Sequence, residues 1–477
     1  MLKRTKIIIT LGPSTDDPAI LERTLLAGVD LIRVNFSHGA HEEHKKRIDA
    51  VRKIAGQHDR EIGILADLQG PKIRIARFHN QKVFLKEGSE FTLDAALPTD
   101  VGDETQVGID YKELPRDVNA GDTLLLDDGR IVMKVKNVSE TRILCEVEVG
   151  GVLSNNKGIN RLGGGLSAAA LTEKDKNDLR FIATLGVDYV AVSFPRSAQD
   201  ILEARALLNA AKSQAGIIAK IERAEAVIAI DEIIKASNGI MVARGDLAVE
   251  IGEEEVPAVQ KLLIQRARSL DKPAITATQM METMIENTVP TRAEVSDVAN
   301  AILDGTDAVM LSAETAVGRH PDKVVATMVR ICLGTEKHPR TQVSGHRLEQ
   351  QFTRIDEAIA MAAMYTANHL EIKAIITLTE SGTTPLWMSR IRSGIPIFGL
   401  SRHAATRGKM TLFRGVYPID FDITQYGRGK INHGAVAQLL SRNLVHEEDW
   451  VILTKGDVAG VHGGTNTMKI IRVDDVK

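Results

Sequence analysis

Eight times along this chain an apolar run of strand length is followed by a stretch with helical spacing. "RTKIIITLGP" (4–13) leads into a helix at 16–28, "DLIRVNFSHG" (30–39) into one at 40–57, and "EIGILADLQGP" (61–71) opens a third unit. After a gap of about a hundred residues the alternation returns with a helix at 172–186 and "YVAVSF" (189–194). "GIIAKIE" (216–222), "GIMVARGD" (239–246), "PAITATQM" (273–280) and "DAVMLSAET" (307–315) follow, with helices at 256–270, 291–303 and 320–336. Parallel strands joined by right-handed helical crossovers, eight in number, close on themselves. The expected fold is α/β, a (β/α)8 TIM barrel over 1–71 and 166–340.

The gap has a different period. "KVFLKEGSEFTL", "TLLLDDGRIVMKV" and "RILCEVEVGG" alternate apolar and polar residues and carry Glu-Gly and Asp-Gly turns. Residues 72–165 are therefore expected as a small all-β domain, a β-barrel, inserted after the third strand. It would leave from the C-terminal face of the barrel, where it could serve as a lid. A polar link near 337–353 precedes a third pattern of "KAIITLTE", "IPIFGLS", "DWVILTKGD" and "MKIIRV". This reads as an open, doubly wound α/β domain over 354–477.

Composition removes several functions. Net charge is −3 and aromatics are 4%, which argues against a nucleic-acid surface. Cys145 and Cys332, each among apolar neighbours, read as core residues and not a disulfide framework. The N-terminal apolar run is too short for a secretory signal, and no window is long enough to span a membrane. A cytoplasmic protein is the expectation.

In a barrel, chemistry sits at the C-terminal strand ends. There the sequence places Arg33, Asn35, Ser37 and His38; Asp67, Lys72 and Arg74; Lys220 and Glu222; Arg244, Gly245 and Asp246; Thr276, Thr278 and Gln279; Ser312 and Glu314. Side chains two apart on a strand share a face, so Lys220 and Glu222 would both point into the mouth. Glu222 and Asp246, from neighbouring strands, suit Mg²⁺, which takes one or two carboxylates and leaves room for substrate oxygens. Lysine and arginine around such a metal indicate an anionic substrate. Each feature alone has a plainer reading. A Lys/Glu pair is more often a lining ion pair, and Asn35, Ser37 and Asp67 could be loop caps. His38, His41 and His44 are read as a solvated helix start, not as metal ligands. The convergence of all these residues on one face is what argues for a site.

At these positions the chain resembles the pyruvate kinases. The motifs "TLGPST", "RVNFSHG", "DLQGPKIR", "NNKGIN", "AVSFPR", "AKIERAEAV", "MVARGDLAVEI" and "ITATQMMETMIENTVPTRAEVSDVANAILDGTDAVMLSAETAVG" carry the resemblance over essentially the whole length. It implies transfer of the phosphoryl group of phosphoenolpyruvate to ADP, with Mg²⁺ (or Mn²⁺) held by Glu222 and Asp246. It assigns Lys220 to the phosphoryl group in flight and Arg33 to the phosphate. Gly245, Asp246 and Thr278 would bind the substrate's carboxylate end. Thr278, with Ser312, would lie on the route that protonates the enolate carbon. Asn35, Phe36, Ser37, His38, Arg74 and Lys157 would contact the nucleotide, Lys157 being delivered by the lid. A homotetramer is also implied.

The family's K⁺ site would use Asn35, Ser37, Asp67 and the carbonyl of Leu68. Where many members have glutamate this chain has Lys72, whose charge could replace the ion and make K⁺ dispensable. In the C-terminal domain "TESGTTPLW" places Thr379, Glu380, Ser381, Gly382, Thr383 and Thr384 after a strand, as a phosphate cradle for an effector. Glu380 would repel a second phosphate, so a sugar monophosphate or AMP is expected over fructose 1,6-bisphosphate. Two competing readings are a metal-dependent barrel lyase or aldolase working through a pyruvate enolate, and a non-catalytic metabolite sensor. The first would not need Lys157 or a lid. The second predicts loss of Lys220, Glu222 or Asp246, and all three are present.

Overall fold

Ile7, Ile8 and Ile9 have no exposed surface, as expected of a strand covered on both faces in a closed parallel sheet. The structure, a computed structural model, describes residues 2–342, 351–457 and 463–476. The barrel strands are Lys6–Thr10, Leu31–Asn35, Gly63–Asp67, Tyr189–Val192, Gly216–Ile221, Gly239–Ala243, Ala274–Ala277 and Ala308–Leu311. They pair in parallel in chain order, and the first closes on the eighth from Lys6–Ala308 to Ile9–Leu311.

Alternation along each strand builds two cores. Ile7, Ile9, Ile32, Val34 and Ile217 pack outward under the helices. Ile8, Leu31, Leu65, Ile218 and Met241 fill the interior. Each such side chain contributes about 1.5–3 kcal/mol on burial. Local signals set the helix starts. Thr172 and Thr291 each accept from the amide three residues on, and Asp175 and Glu294 return the bond to the threonine amide.

The interior core does not stop at the barrel floor. It continues into Met410, Leu412 and Phe413 of the C-terminal domain. Around this plug, buried Arg390 pairs with buried Asp307, and Tyr189 Oη donates to Lys409 O at 2.7 Å. The N-terminal end of the barrel is therefore sealed, and the C-terminal mouth is left for chemistry.

The insert pairs as a six-stranded sheet, from Ile159–Arg161 at one edge to Gln106–Gly108 at the other, beside a two-stranded ribbon of Lys82–Leu85 and Gly151–Ser154. The expected β-barrel does not close by strand pairing, because the ribbon forms its own sheet. Sheet and ribbon share one core, around Phe91, Leu93, Met133 and Leu85. The C-terminal sheet runs Val416–Asp420, Ile397–Ser401, Ala374–Leu378, Trp450–Gly456, Thr465–Arg472, parallel except for the last strand. Of the polar link at 337–353, residues 343–350 lie outside the described residues. Among the described residues no helix is long and apolar enough to cross a membrane.

Candidate active site

The fifth strand carries charge into the mouth because its apolar alternation ends at Ile218. Ile217, Ala219 and Ile221 stay in the outer core, and the opposite face continues as Lys220 and Glu222. The Lys220 ammonium lies 2.9 Å from Glu222 Oε1 and 3.3 Å from Asp67 Oδ1, and donates to Ser193 Oγ at 2.7 Å. Burial opposes its charge, but Asp67 and Glu222 together outweigh that and raise its pKa above the ordinary lysine value. Asp67, fully buried, is pushed up by burial and pulled below its ordinary value by Lys220 and by Arg33, whose Nε donates at 2.6 Å. Burial raises the carboxyl of Glu222 against the pull of Lys220.

Asp67 Oδ1 and Glu222 Oε1 are buried and accept no hydrogen bond. The ammonium neutralises them as a charge without satisfying their lone pairs. Glu222 Oε2 does accept, from Phe194 N at 2.8 Å, on a residue held at φ +56°. Such unsatisfied carboxylate oxygens fit a divalent cation. Asp246 is near enough to raise the Glu222 carboxyl. Among the described residues no group of three or more His, Cys, Asp or Glu could hold a metal. Two carboxylates, Glu222 and Asp246, could hold Mg²⁺ only with oxygens from substrate or water completing the shell.

Asp246 already has a cation beside it. Lys72 Nζ lies 3.6 Å from Asp246 Oδ1 and 3.9 Å from Asp128 Oδ1 in the insert. Of the expected K⁺ donors, Asn35 Oδ1 accepts from Ser37 N at 3.1 Å, Leu68 O accepts from Ser193 Oγ at 2.7 Å, and Asp67 faces two cations. Among the described residues no ion pair joins Lys72 to Asp67.

The sixth and seventh strand tips are tied together: Gly245 N donates to Thr278 Oγ1 at 3.0 Å. Thr278 and Gln279 sit at φ +66° and +52°, a conformation that costs about 1–3 kcal/mol per residue. These tips and the insert enclose a cleft of about 840 Å³ lined by Lys72, Asp128, Arg244, Gly245, Asp246 and Gln279. Ser312 lies at the end of strand eight, its amide donating to Glu314 at 2.6 Å.

The nucleotide candidates fall in two groups that no hydrogen bond or ion pair joins among the described residues. Asn35, Ser37 and His38 lie on the barrel rim, and only His38 is exposed. Phe36 is buried in the outer core, so its side chain cannot face a nucleotide. Its carbonyl accepts from Lys174 Nζ at 2.6 Å. Arg74 donates to Asn156 O at 2.9 Å, beside Lys157, whose ammonium is 2.7 Å from Asp127.

Three residues read as mouth or surface groups lie elsewhere. Thr276 is fully buried and donates to Thr306 Oγ1 at 3.0 Å, because Ile275 and Ala277 are the residues that face inward. Glu314 is buried and accepts the amides of Met281 and Ser312. His44, expected in water, is buried against Phe36 with ring centroids 4.4 Å apart. Arg244 does line the cleft, beside Asp297, with which it pairs at 2.7 Å. Ser193 and Asp127 were not singled out from sequence. Small polar residues at strand ends look like loop residues until their neighbours are known.

In the C-terminal domain the loop Thr379–Thr384 lies at the sheet's switch point, where strand order reverses beside Ala374–Leu378. Gly382 at φ +81° turns the chain into the helix Thr383–Arg390, and its amide donates to Thr379 Oγ1 at 2.9 Å. Ser381 and Thr383 share a hydrogen bond of 2.8 Å, and Thr384 meets Thr465 at 2.9 Å. Glu380 does not face the cradle alone: it pairs with His403 and with Arg402, at 3.4 Å.

This arrangement can be set beside known proteins. The family model described as "Pyruvate kinase, barrel domain" matches residues 2–325, and "Pyruvate kinase, alpha/beta domain" matches 357–471. The chain is 57% identical over 477 residues to "Pyruvate kinase II" of Salmonella typhimurium, covering 99% of both. It is 55% identical over 476 residues to "Pyruvate kinase" of Buchnera aphidicola subsp. Schizaphis graminum, again covering 99% of both. Against "Pyruvate kinase" of Haemophilus influenzae it is 56% identical over 422 residues, 88% of each chain. With this barrel, this insert and this mouth, the chain belongs to the pyruvate kinase family.

Proposed function

We propose that this chain transfers the phosphoryl group of phosphoenolpyruvate to ADP, giving pyruvate and ATP. The observation that carries the reading is Lys220 held charged between Asp67 and Glu222 at a mouth where two buried carboxylate oxygens lack hydrogen-bond partners. Phosphoryl transfer asks for positioning and charge neutralisation more than for covalent help. The phosphorus–oxygen bond to the enol breaks, a bond to the β-phosphate of ADP forms, and the enolate carbon takes a proton. Lys220 meets the charge on the moving phosphoryl group, and Arg33 holds the phosphate. Gly245, Asp246 and Thr278 seat the carboxylate end, the Gly245 amide itself being held by Thr278 Oγ1. Thr278, with Ser312 at the end of the neighbouring strand, stands on the proton's route. A bound Mg²⁺ would supply charge neutralisation at the substrate oxygens. Arg74 and Lys157 approach the nucleotide from the insert, while the Asn35–His38 rim approaches from the barrel.

Two finer readings go with it. K⁺ is dispensable because Lys72 brings a fixed cation to the mouth. The cradle from Thr379 to Thr384 takes a sugar monophosphate or AMP, since Glu380 holds Arg402 and His403 away from a second phosphate. Assembly as a homotetramer completes the reading. Pyruvate production from phosphoenolpyruvate, ADP and Mg²⁺ is measured in Na⁺ buffer and again with K⁺. Pyruvate in both supports both claims, and pyruvate only with K⁺ removes the role given to Lys72. No pyruvate in either removes the function. Tighter binding of fructose 1,6-bisphosphate than of ribose 5-phosphate or AMP would remove the effector assignment.

A further inference from the structure

Arg244 opens the helix Arg244–Ile251 and is buried, yet it touches the part of the next strand that departs from ordinary backbone geometry. Its Nε donates to Ala277 O at 3.2 Å. Its Nη2 donates to Thr278 O at 2.5 Å and Gln279 O at 3.3 Å. Its Nη1 meets both carboxylate oxygens of Asp297, at 2.8 and 2.7 Å. Thr278 is β-branched and held at φ +66°, which such residues rarely adopt without restraint. The neighbouring residue restrains the same threonine from its other end, through Gly245 N and Thr278 Oγ1. Two consecutive residues of the sixth strand tip thus grip the carbonyl and the hydroxyl of Thr278.

We propose that Arg244 is a positioning residue for the protonation step: it fixes Thr278 where the enolate carbon receives its proton, and it touches neither substrate. The proposal rests on the phosphoryl-transfer reading above. Asp297 anchors the guanidinium through both of its carboxylate oxygens, at 2.8 and 2.7 Å. A lysine has the charge but no fork, and it cannot hold three successive carbonyls and a carboxylate at once.

The test uses the full chain with Mg²⁺. Arg244→Lys lowers kcat by about 100-fold, the scale expected when a reacting group is misplaced by about an ångström. KM for phosphoenolpyruvate stays within about threefold, since an interaction made only in the transition state is the one lost. Exchange of the pyruvate methyl hydrogens into D2O with Mg²⁺ and ATP, followed by proton NMR, falls by the same factor as kcat. Mn²⁺ affinity, read by electron paramagnetic resonance, is unchanged. Asp297→Asn leaves the guanidinium in place but loosens its anchor. It shifts kcat and exchange together by about tenfold and carries the test if the lysine variant does not fold. Full kcat in Arg244→Lys, a raised KM with unchanged kcat, or normal exchange beside a lowered kcat overturns the positioning role. An unsubstituted chain that makes no pyruvate overturns the phosphoryl-transfer reading itself, which separates the two failures.

Discussion

Replacing Lys220 by methionine removes one charge from a site that holds three buried ionisable groups. The ammonium is 2.9 Å from Glu222 and 3.3 Å from Asp67, and these carboxylates are 1% and 0% exposed. At an effective dielectric of about 20, each contact is worth about 5 kcal/mol before desolvation is subtracted. Deleting one partner of a buried pair costs about 3–5 kcal/mol net, because the other is left uncompensated. Asp67 keeps Arg33 at 2.6 Å, so the deficit falls mainly on Glu222. The expected fall in Tm is about 3–5 °C. The effect on rate is separate. Loss of one preorganised donor at a developing charge costs about 100- to 1,000-fold in kcat. Methionine fills the volume, so the loss is electrostatic and not a cavity effect. The assay couples pyruvate formation to NADH oxidation, with differential scanning calorimetry on the same preparation. A kcat within tenfold of the unsubstituted chain would refute the role given to Lys220. An unchanged Tm would refute the claim that it compensates buried carboxylates.

Three further outcomes follow from the geometry. Asp188 lies in a cavity of about 600 Å³ at the seam of barrel and C-terminal domain, and burial, partly opposed by Arg52 and Lys409 and reinforced by Glu61, pushes its carboxyl up to about 7. A raised folded pKa means the native state holds the extra proton, so this contribution to stability is lost as pH rises from about 4 to about 7; Asp188→Asn should raise Tm at pH 8 and leave it unchanged at pH 4.5, in thermal scans. Burial pushes the thiols of Cys145 and Cys332 up to about 12, so neither reacts with a disulfide reagent in the native protein and both react after unfolding, by absorbance titration. Arg390→Met leaves Asp307 buried and unpaired at the barrel floor and destabilises by about 3–5 kcal/mol, read as a lowered midpoint in urea.

Periodicity along the chain determined a great deal. Strand-then-helix alternation repeated eight times leaves closure as the way to pair every edge, and the closed barrel follows. The period of two on the fifth strand puts Lys220 and Glu222 on one face before any neighbour is known. The same rule failed at Thr276. Ile275 and Ala277 set the inward face there, and beyond Ala277 the chain turns into left-handed geometry at Thr278 and Gln279. His44 looked solvated and Glu314 looked like a mouth residue because polarity, not burial, is what a sequence displays. Their partners, Phe36 and the amides of Met281 and Ser312, become visible only after packing.

What tertiary structure alone decided is who meets whom across strands. Asp67 faces Arg33 from the second strand and Lys220 from the fifth, separated by 34 and 153 positions in sequence. Ser193 joins Lys220 to the Leu68 carbonyl, and Arg244 grips the tip of the next strand. Spacing within one strand is local, fixed by the two-residue repeat of the backbone. Contact between strands depends on register and on barrel closure, which are set by the packing of the whole interior.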